Sequence, residues 1–146
     1  MDGDRSRCAP LAPSGTLPRC GPVMIHFDTN FLIEATVAAS SAHERFLVWA
    51  AAGETFGMSS VAWAEYLCGP LDALGEAIAR QMFANPEPFL AVDAAKAAEL
   101  FNHAGRRSRS LADCMIAAVA LRCGARVATS NKSDFAAFHR FGLVLA

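Results

Sequence analysis

The chain has 146 residues, which is enough for one compact domain and short for two. It is 53% hydrophobic and only 18% charged, which excludes a chain that stays disordered throughout. The net charge of −1 excludes a globally basic nucleic-acid-binding protein, so a nucleic acid would have to be held by a local patch. Polar residues or glycine interrupt every apolar run, and no C-x-x-C pair occurs, so we expect a cytoplasmic protein without a membrane span.

Residues 1–23 are rich in proline and glycine and have no hydrophobic periodicity. We expect this segment to be a disordered leader, and it lacks the apolar centre of a secretory signal peptide. The periodic pattern begins at Met24. Met24 is therefore a candidate for the natural start of translation, and residues 24–146 are predicted to form the folded domain.

Beyond the leader, short apolar runs alternate with longer segments of helical periodicity. Strands are predicted at residues 24–28, 55–58, 89–92, 126–129 and 143–145. Helices are predicted at residues 31–37, 43–52, 61–67, 71–83, 94–104, 111–123 and 133–140. This alternation favours an α/β fold, in which helices cover both faces of a central parallel sheet of four to five strands.

The first predicted strand ends in a carboxylate, Asp28, which Thr29 and Asn30 follow. In an open α/β sheet, ligands and catalytic groups collect at the carboxyl ends of the strands. Aspartate is also a common cap where a strand turns into a helix, so this position alone leaves both interpretations open.

A second carboxylate, Glu65, is the only charged residue between Glu54 and Asp72. It lies in a predicted helix that is apolar nearly all round, and such a helix is usually buried. An ionised glutamate inside it would need an ion partner or a metal. The alternative is that Glu65 lies on a narrow solvent-exposed stripe.

Two further aspartates lie near predicted helix starts. Asp113 is the only charged residue from position 111 to 121, where Ser110 could form a capping box with it. Asp134 follows a late strand, with Asn131 as a possible N-cap. The alternative for each aspartate is a helix-capping role without any other function. An aspartate can be both a cap and a functional carboxylate, because a capped first turn also fixes the direction of the carboxylate.

Carboxylates that converge at one edge of a sheet raise one another's pKa unless a cation lies between them. Their hard oxygen ligands favour Mg²⁺ or Mn²⁺ over Zn²⁺, and no cluster of His or Cys competes. A metal held in this way activates water for in-line hydrolysis of a phosphodiester. The arginines beside Asp113 could hold phosphates. The alternative is a solvated loop, which is the more common environment of a run of charged residues. These arginines are Arg106, Arg107 and Arg109.

From residue 24 onward the sequence resembles the PIN-domain ribonucleases, and among them the VapC-type toxins of bacterial toxin–antitoxin pairs. The resemblance rests on four segments: IHFDTN at 25–30, AEY at 64–66, RSLADCMIAA at 109–118 and ATSNKSDF at 128–135. It implies a single PIN-like domain that cleaves RNA with Mg²⁺ or Mn²⁺, forms a homodimer and is neutralised by a cognate antitoxin.

The resemblance also implies roles for individual residues. Asp28 and Asp113 would be the principal metal ligands, and Glu65 would be a further ligand or would orient the attacking water. The fourth acidic position would fall at Asp134 or Asn131, at an outer or second metal. The polar neighbours expected to support the acids are Thr29, Asn30, Thr129 and Asn131.

Two other functions remain open from the sequence. One is a related metal-dependent nuclease that acts on DNA, because selectivity for ribose is not legible in these residues. The other is a non-catalytic binding module in which the carboxylates serve only as helix caps.

Overall fold

Within the described part of the chain, four short strands form one sheet in which all neighbouring strands run parallel. The computed structural model describes residues 24–105 and 111–146, so the predicted leader and residues 106–110 lie outside the described residues. The strands are β1 (Ile25–Phe27), β2 (Phe56–Gly57), β3 (Arg126–Ala128) and β4 (Val144–Leu145). Their spatial order is β2-β1-β3-β4, which places β1 and its carboxyl end in the interior of the sheet. The prediction of a parallel α/β fold is confirmed.

Helices connect the strands, and several begin at a side chain that accepts a hydrogen bond from the first turn. The α-helices are α1 (Thr29–Ala35), α2 (Ser41–Ala51), α3 (Ser60–Leu67), α4 (Ala73–Met82), α5 (Ala91–His103), α6 (Leu111–Cys123) and α7 (Lys132–Ala136). Ser40, Ser59 and Asp72 cap α2, α3 and α4 in this way. None of the described helices is long and apolar enough to cross a membrane.

The predicted fifth strand at residues 89–92 is wrong. Pairing in this region is limited to an isolated bridge, in which Glu87 exchanges backbone hydrogen bonds with Met58 and Ser60. The prolines on either side of Glu87 have no N–H to extend a ladder. The backbone N–H of Leu90 then donates to the carboxylate of Asp93, and this bond turns the chain into α5.

The predicted helix at residues 133–140 is split in two. Helix α7 ends at Ala136, and a separate 3₁₀ helix follows at His139–Phe141. Gly142 then adopts a φ of 93°, a left-handed conformation that glycine accepts without strain and that directs the chain into β4.

Both faces of the sheet are covered, as strand β1 shows. Successive residues of a strand point to opposite faces, and Ile25, His26 and Phe27 are all at most 1% exposed. The ring of Phe27 contacts the rings of Phe31 in α1 and Phe46 in α2. On the opposite face, His26 is packed without a hydrogen-bond partner in the described chain, and burial lowers its pKa to about 4. The core therefore lies on both sides of β1, and Asp28 follows directly at its carboxyl end.

Candidate active site at the carboxyl edge of the sheet

Asp28 is held in one orientation by two hydrogen bonds at the start of α1. It is 2% exposed, and its Oδ1 accepts from the backbone N–H of Thr29 at 2.8 Å. Its Oδ2 accepts from the Oγ1 hydroxyl of Thr129 at 2.9 Å. Asp28 is thus both the N-cap residue of α1 and a buried carboxylate whose two oxygens are fixed.

The pKa of Asp28 is raised, first by burial and further by the negative charge of Glu65. The hydrogen bonds from Thr129 and Thr29 act in the opposite direction, because they stabilise the ionised form. A cation that approached this carboxylate would stabilise its ionised form, because the cation would offset both the cost of burial and the repulsion from the neighbouring negative charge.

Glu65 is exposed, so of the two interpretations that the sequence left open the solvent-exposed position is the one that the structure shows. The eight-residue α3 turns only Ala62 and Tyr66 fully into the core, which leaves the opposite side of the helix in solvent. The carboxylate of Glu65 nevertheless points to the site, because the Oγ1 hydroxyl of Thr29 donates to its Oε2 at 2.9 Å. Thr29 therefore links Glu65 to Asp28 through its own side chain and backbone N–H.

Asp113 lies in the first turn of α6 and is partly buried. Its pKa is raised to about 6, first by burial and then by the charges of Asp28, Asp134 and Glu65. These three carboxylates come from three other parts of the chain, and the negative charge of each disfavours the ionised form of Asp113. The proposed capping partner, Ser110, lies outside the described residues.

Asp134 and Asn131 form the outer part of the cluster. Asn131 occupies the N-cap position of α7, as predicted, but its side chain makes no capping hydrogen bond. Its Nδ2 instead donates a hydrogen bond to Oδ2 of Asp134. The backbone N–H of Asn131 donates to the Oγ1 of Thr129 at 3.0 Å. Thr129 thus accepts from Asn131 and donates to Asp28, which connects the outer and the buried acid through one hydroxyl.

The remaining predicted residues are one asparagine of α1 and the three arginines before α6. Asn30 is exposed on α1, and it makes no side-chain hydrogen bond to the acids in the part of the chain that the structure describes. Arg106, Arg107 and Arg109 lie outside the described residues.

A contact that the sequence did not reveal lies beside the cluster. The hydroxyl of Ser130 donates to the carboxylate of Glu34 at 2.5 Å, which ties the end of β3 to the outer side of α1. A possible signal in the sequence is the polar run that follows each of the two central strands, DTN after β1 and TSN after β3. Such runs mark a polar edge of the sheet but do not identify which side chains meet across it.

The four acids supply the oxygen ligands that Mg²⁺ and Mn²⁺ prefer. Among residues 24–105 and 111–146, no three His, Cys, Asp or Glu side chains lie close enough together to enclose a metal ion. Mg²⁺ in nucleic-acid enzymes commonly binds one or two carboxylates and completes its shell with water and substrate phosphate. The raised pKa of Asp113 and the fixed oxygens of Asp28 fit such an open site, with these two residues as the candidate ligands.

The acids follow the strands at the carboxyl edge of a parallel sheet, which is where open α/β domains bind their ligands. Residues 25–140 match the PIN domain family, and the chain belongs to this family. The resemblance noted in the sequence is thereby confirmed at the level of the family. A comparison with curated protein sequences finds no significant match.

Several solved structures share the fold. FitAcB from Neisseria gonorrhoeae aligns with a TM-score of 0.62 and 24% identity over 84% of this chain and 96% of that chain. VapBC2 from Rickettsia felis, bound to a DNA fragment from its promoter, aligns with a TM-score of 0.62 and 20% identity over 85% and 98% of the two chains. A toxin–antitoxin complex from Klebsiella pneumoniae aligns with a TM-score of 0.62 and 24% identity over 77% and 90%.

Proposed function

We propose that this protein is a metal-dependent endoribonuclease and the toxin of a type II toxin–antitoxin pair. The observation that supports hydrolysis most directly is the buried carboxylate of Asp28, which two hydrogen bonds fix at the carboxyl end of β1 and whose charge, with those of Asp134 and Glu65, adds to burial in raising the pKa of Asp113 to about 6. A fold gains nothing in stability from gathering like charges, so the arrangement is best explained by a cation that they bind. Similarity to the solved structures supports the toxin assignment.

In this proposal the acids have different tasks. Asp28 and Asp113 would hold Mg²⁺ or Mn²⁺, and Thr129 keeps the Asp28 carboxylate oriented by its hydrogen bond to Oδ2. A metal bound there would supply the activation of water and the stabilisation of negative charge on the phosphate oxygens. Glu65 uses Oε2 to accept from Thr29, and its other oxygen is available to orient the attacking water and accept its proton. Asp134, held by Asn131, occupies the outer position.

The antitoxin partner has a candidate binding surface on this chain. An apolar groove of about 480 Å³ lies between α1, α2 and α4, and its lining includes Ile33, Leu74 and Ile78. These three side chains are 44%, 72% and 48% exposed, which leaves apolar surface uncovered in the isolated chain. We propose that an apolar segment of the antitoxin, with side chains at helical spacing, fills this groove. A homodimer is also proposed, and light scattering after gel filtration would test it.

The test of the nuclease uses the purified full chain, a mixed pool of cellular RNA, and either Mg²⁺, Mn²⁺ or EDTA. Asp28→Asn and Asp113→Asn are compared with Glu44→Gln, which alters an exposed acid on α2. We expect the wild type and Glu44→Gln to cleave RNA when metal is present. The rate of cleavage should be at least about 100-fold lower in both site variants. Circular dichroism checks that each variant is folded.

Other results would lead to different conclusions. Equal products from all variants would indicate a contaminating nuclease, and cleavage of DNA in preference to RNA would favour the related DNA nuclease. Calorimetric binding of Mn²⁺ without cleavage of either nucleic acid would favour the non-catalytic binding module.

A further inference from the structure

Two adjacent residues that follow β3 are hydrogen-bonded to α1 at two separate points. The Oγ1 of Thr129 donates to the Oδ2 of Asp28, the N-cap of α1, at 2.9 Å. The Oγ of Ser130 donates to the Oε2 of Glu34, near the other end of α1, at 2.5 Å. The two acceptor residues are about 9 Å apart along the helix, at about 1.5 Å per residue. Two contacts this far apart fix the direction of the chain that leaves β3, which a single contact would leave free to pivot.

The segment at residues 129–131 leads directly to the outer acid. The backbone N–H of Asn131 donates to the Oγ1 of Thr129 at 3.0 Å, and its Nδ2 donates to the Oδ2 of Asp134. Ser130 therefore lies between the residue that orients the buried acid and the residue that contacts the outer acid. A shift of Ser130 away from α1 would move Asn131, and with it the hydrogen bond to Asp134.

Helix α7 contributes little of its own to the position of Asp134. It has five residues, and the Asn131 side chain at its N-cap position makes no capping hydrogen bond. Helices of this length are not stable by themselves. Phe135 anchors the helix in the core, whereas Asp134 is exposed. The first turn of α7 therefore depends on the preceding segment for its position.

Glu34 is a well-fixed acceptor for Ser130. Its neighbours Leu32 and Ala35 are buried, so α1 is held against the core. The backbone carbonyl of Glu34 accepts from the Oγ of Ser40 at 2.6 Å, which fixes the end of this helix. Among residues 24–105 and 111–146, no Lys or Arg forms an ion pair with Glu34. Ser130 thus does not compete with a cation of this part of the chain for the carboxylate.

We infer that Glu34 is a positioning residue, which fixes the 129–131 segment through Ser130 and thereby holds Asp134 at the candidate site. This inference rests on the proposed metal-dependent function and adds to it a fifth carboxylate that acts through a hydroxyl. Partners that orient the ligands of a metal commonly change its affinity by about 10–100-fold. Glu34 and Ser130 are both exposed, so water competes for their hydrogen bond and the effect should lie at or below the lower end of that range.

The test measures Mn²⁺ binding to the metal-free full chain by calorimetry. Ser130→Ala removes the donor and Glu34→Ala removes the acceptor, whereas Glu34→Gln keeps an acceptor oxygen but removes the charge. Ser130→Thr keeps the hydroxyl and serves as the rescue variant. Thr36→Ala is the matched control, because it removes another exposed hydroxyl, which donates to the carbonyl of Ile33 in α1. Circular dichroism and thermal unfolding check that each variant is folded.

We expect Ser130→Ala and Glu34→Ala each to lower the affinity for Mn²⁺ by about 5–10-fold. Glu34→Gln, Ser130→Thr and the matched control should stay within about twofold of the wild type. The double variant Ser130→Ala/Glu34→Ala should bind as well as either single variant, because both substitutions remove the same hydrogen bond. In the background of Asp134→Asn, Ser130→Ala should have no further effect, because Ser130 acts through Asp134.

A second measurement needs no metal. Hydrogen exchange of the Asn131 backbone amide, followed by NMR in EDTA, reports whether the 129–131 segment stays in place. We expect this amide to exchange about tenfold faster in Ser130→Ala than in the wild type or in Thr36→Ala.

Three results would overturn the inference. One is a loss of affinity in both Glu34→Gln and Glu34→Ala with none in Ser130→Ala, which would indicate a direct effect of the negative charge. The others are an unchanged exchange rate of the Asn131 amide in Ser130→Ala and an additive loss of affinity in the Asp134→Asn background. A wild type that binds no Mn²⁺, combined with faster exchange in Ser130→Ala, would refute the proposed metal-dependent function while supporting the positioning role of Glu34.

Discussion

Replacing Asp113 with asparagine should stabilise the metal-free protein at neutral pH, although it removes an acid from the candidate site. Burial and the charges of Asp28, Asp134 and Glu65 raise the pKa of Asp113 from 3.8 to about 6. The folded state therefore favours the protonated carboxyl. The stability that this preference contributes is complete below pH 3.8 and is lost as the pH rises through about 6. An asparagine resembles the protonated acid at every pH and does not lose this contribution.

The size of the effect follows from the two pKa values. The interval from 3.8 to about 6 corresponds to at most about 3 kcal/mol, at about 1.4 kcal/mol for each pKa unit. Asp113 is only partly buried, so solvent screens part of the charge interaction. We therefore expect the free energy of unfolding of Asp113→Asn to be higher than that of the wild type by about 1–2 kcal/mol at pH 7. At pH 3.5 the difference should be close to zero.

The assay is urea unfolding in EDTA at several pH values between 3.5 and about 8, with Glu44→Gln as the control for loss of an exposed acid. Addition of Mn²⁺ at pH 7 should make the wild type the more stable of the two proteins. A bound cation stabilises the wild type, whereas Asp113→Asn lacks one of the ligands for that cation. A constant stability difference across this pH range, or a variant less stable than the wild type at pH 7 in EDTA, would refute the convergence of charges on Asp113.

The other predictions concern the support of the site, the groove and the core. Thr129→Val loses the donor to Asp28 and the acceptor for Asn131, so calorimetry should show Mn²⁺ affinity reduced by about 10–100-fold, while Thr129→Ser keeps it. Leu74→Glu places a charge in the apolar groove and should weaken co-purification with the cognate antitoxin by at least about tenfold, at an unchanged melting temperature. Unaltered antitoxin binding in Leu74→Glu would exclude this groove. Phe27→Ala removes a fully buried ring and should cost about 3–5 kcal/mol in urea unfolding; a loss below about 1 kcal/mol would contradict the packing described.

Some parts of the structure required long-range contacts that the sequence does not encode locally. The sequence left open whether Glu65 is buried or exposed, because a helix that is apolar in sequence can still turn one side to solvent when it is only eight residues long. No strand forms at residues 89–92. The prolines on either side of Glu87 offer no N–H for pairing, and the hydrogen bond to Asp93 turns the chain into a helix, so only an isolated bridge to a distant segment forms. The phosphate contacts assigned to Arg106, Arg107 and Arg109 stay predictions.

The sequence by itself determined the alternation of strands and helices and placed Asp28 at the end of a strand, since apolar periodicity and capping residues act over a few positions. It also determined that Asp113 opens a long apolar helix. Only the tertiary structure decided that Thr129 meets Asp28 across 101 positions, because this contact depends on the register of β3 beside β1. The same register carries Asn131 and Asp134 to the edge where Asp28 and Asp113 lie, and the raised pKa of Asp113 exists only in that assembled arrangement.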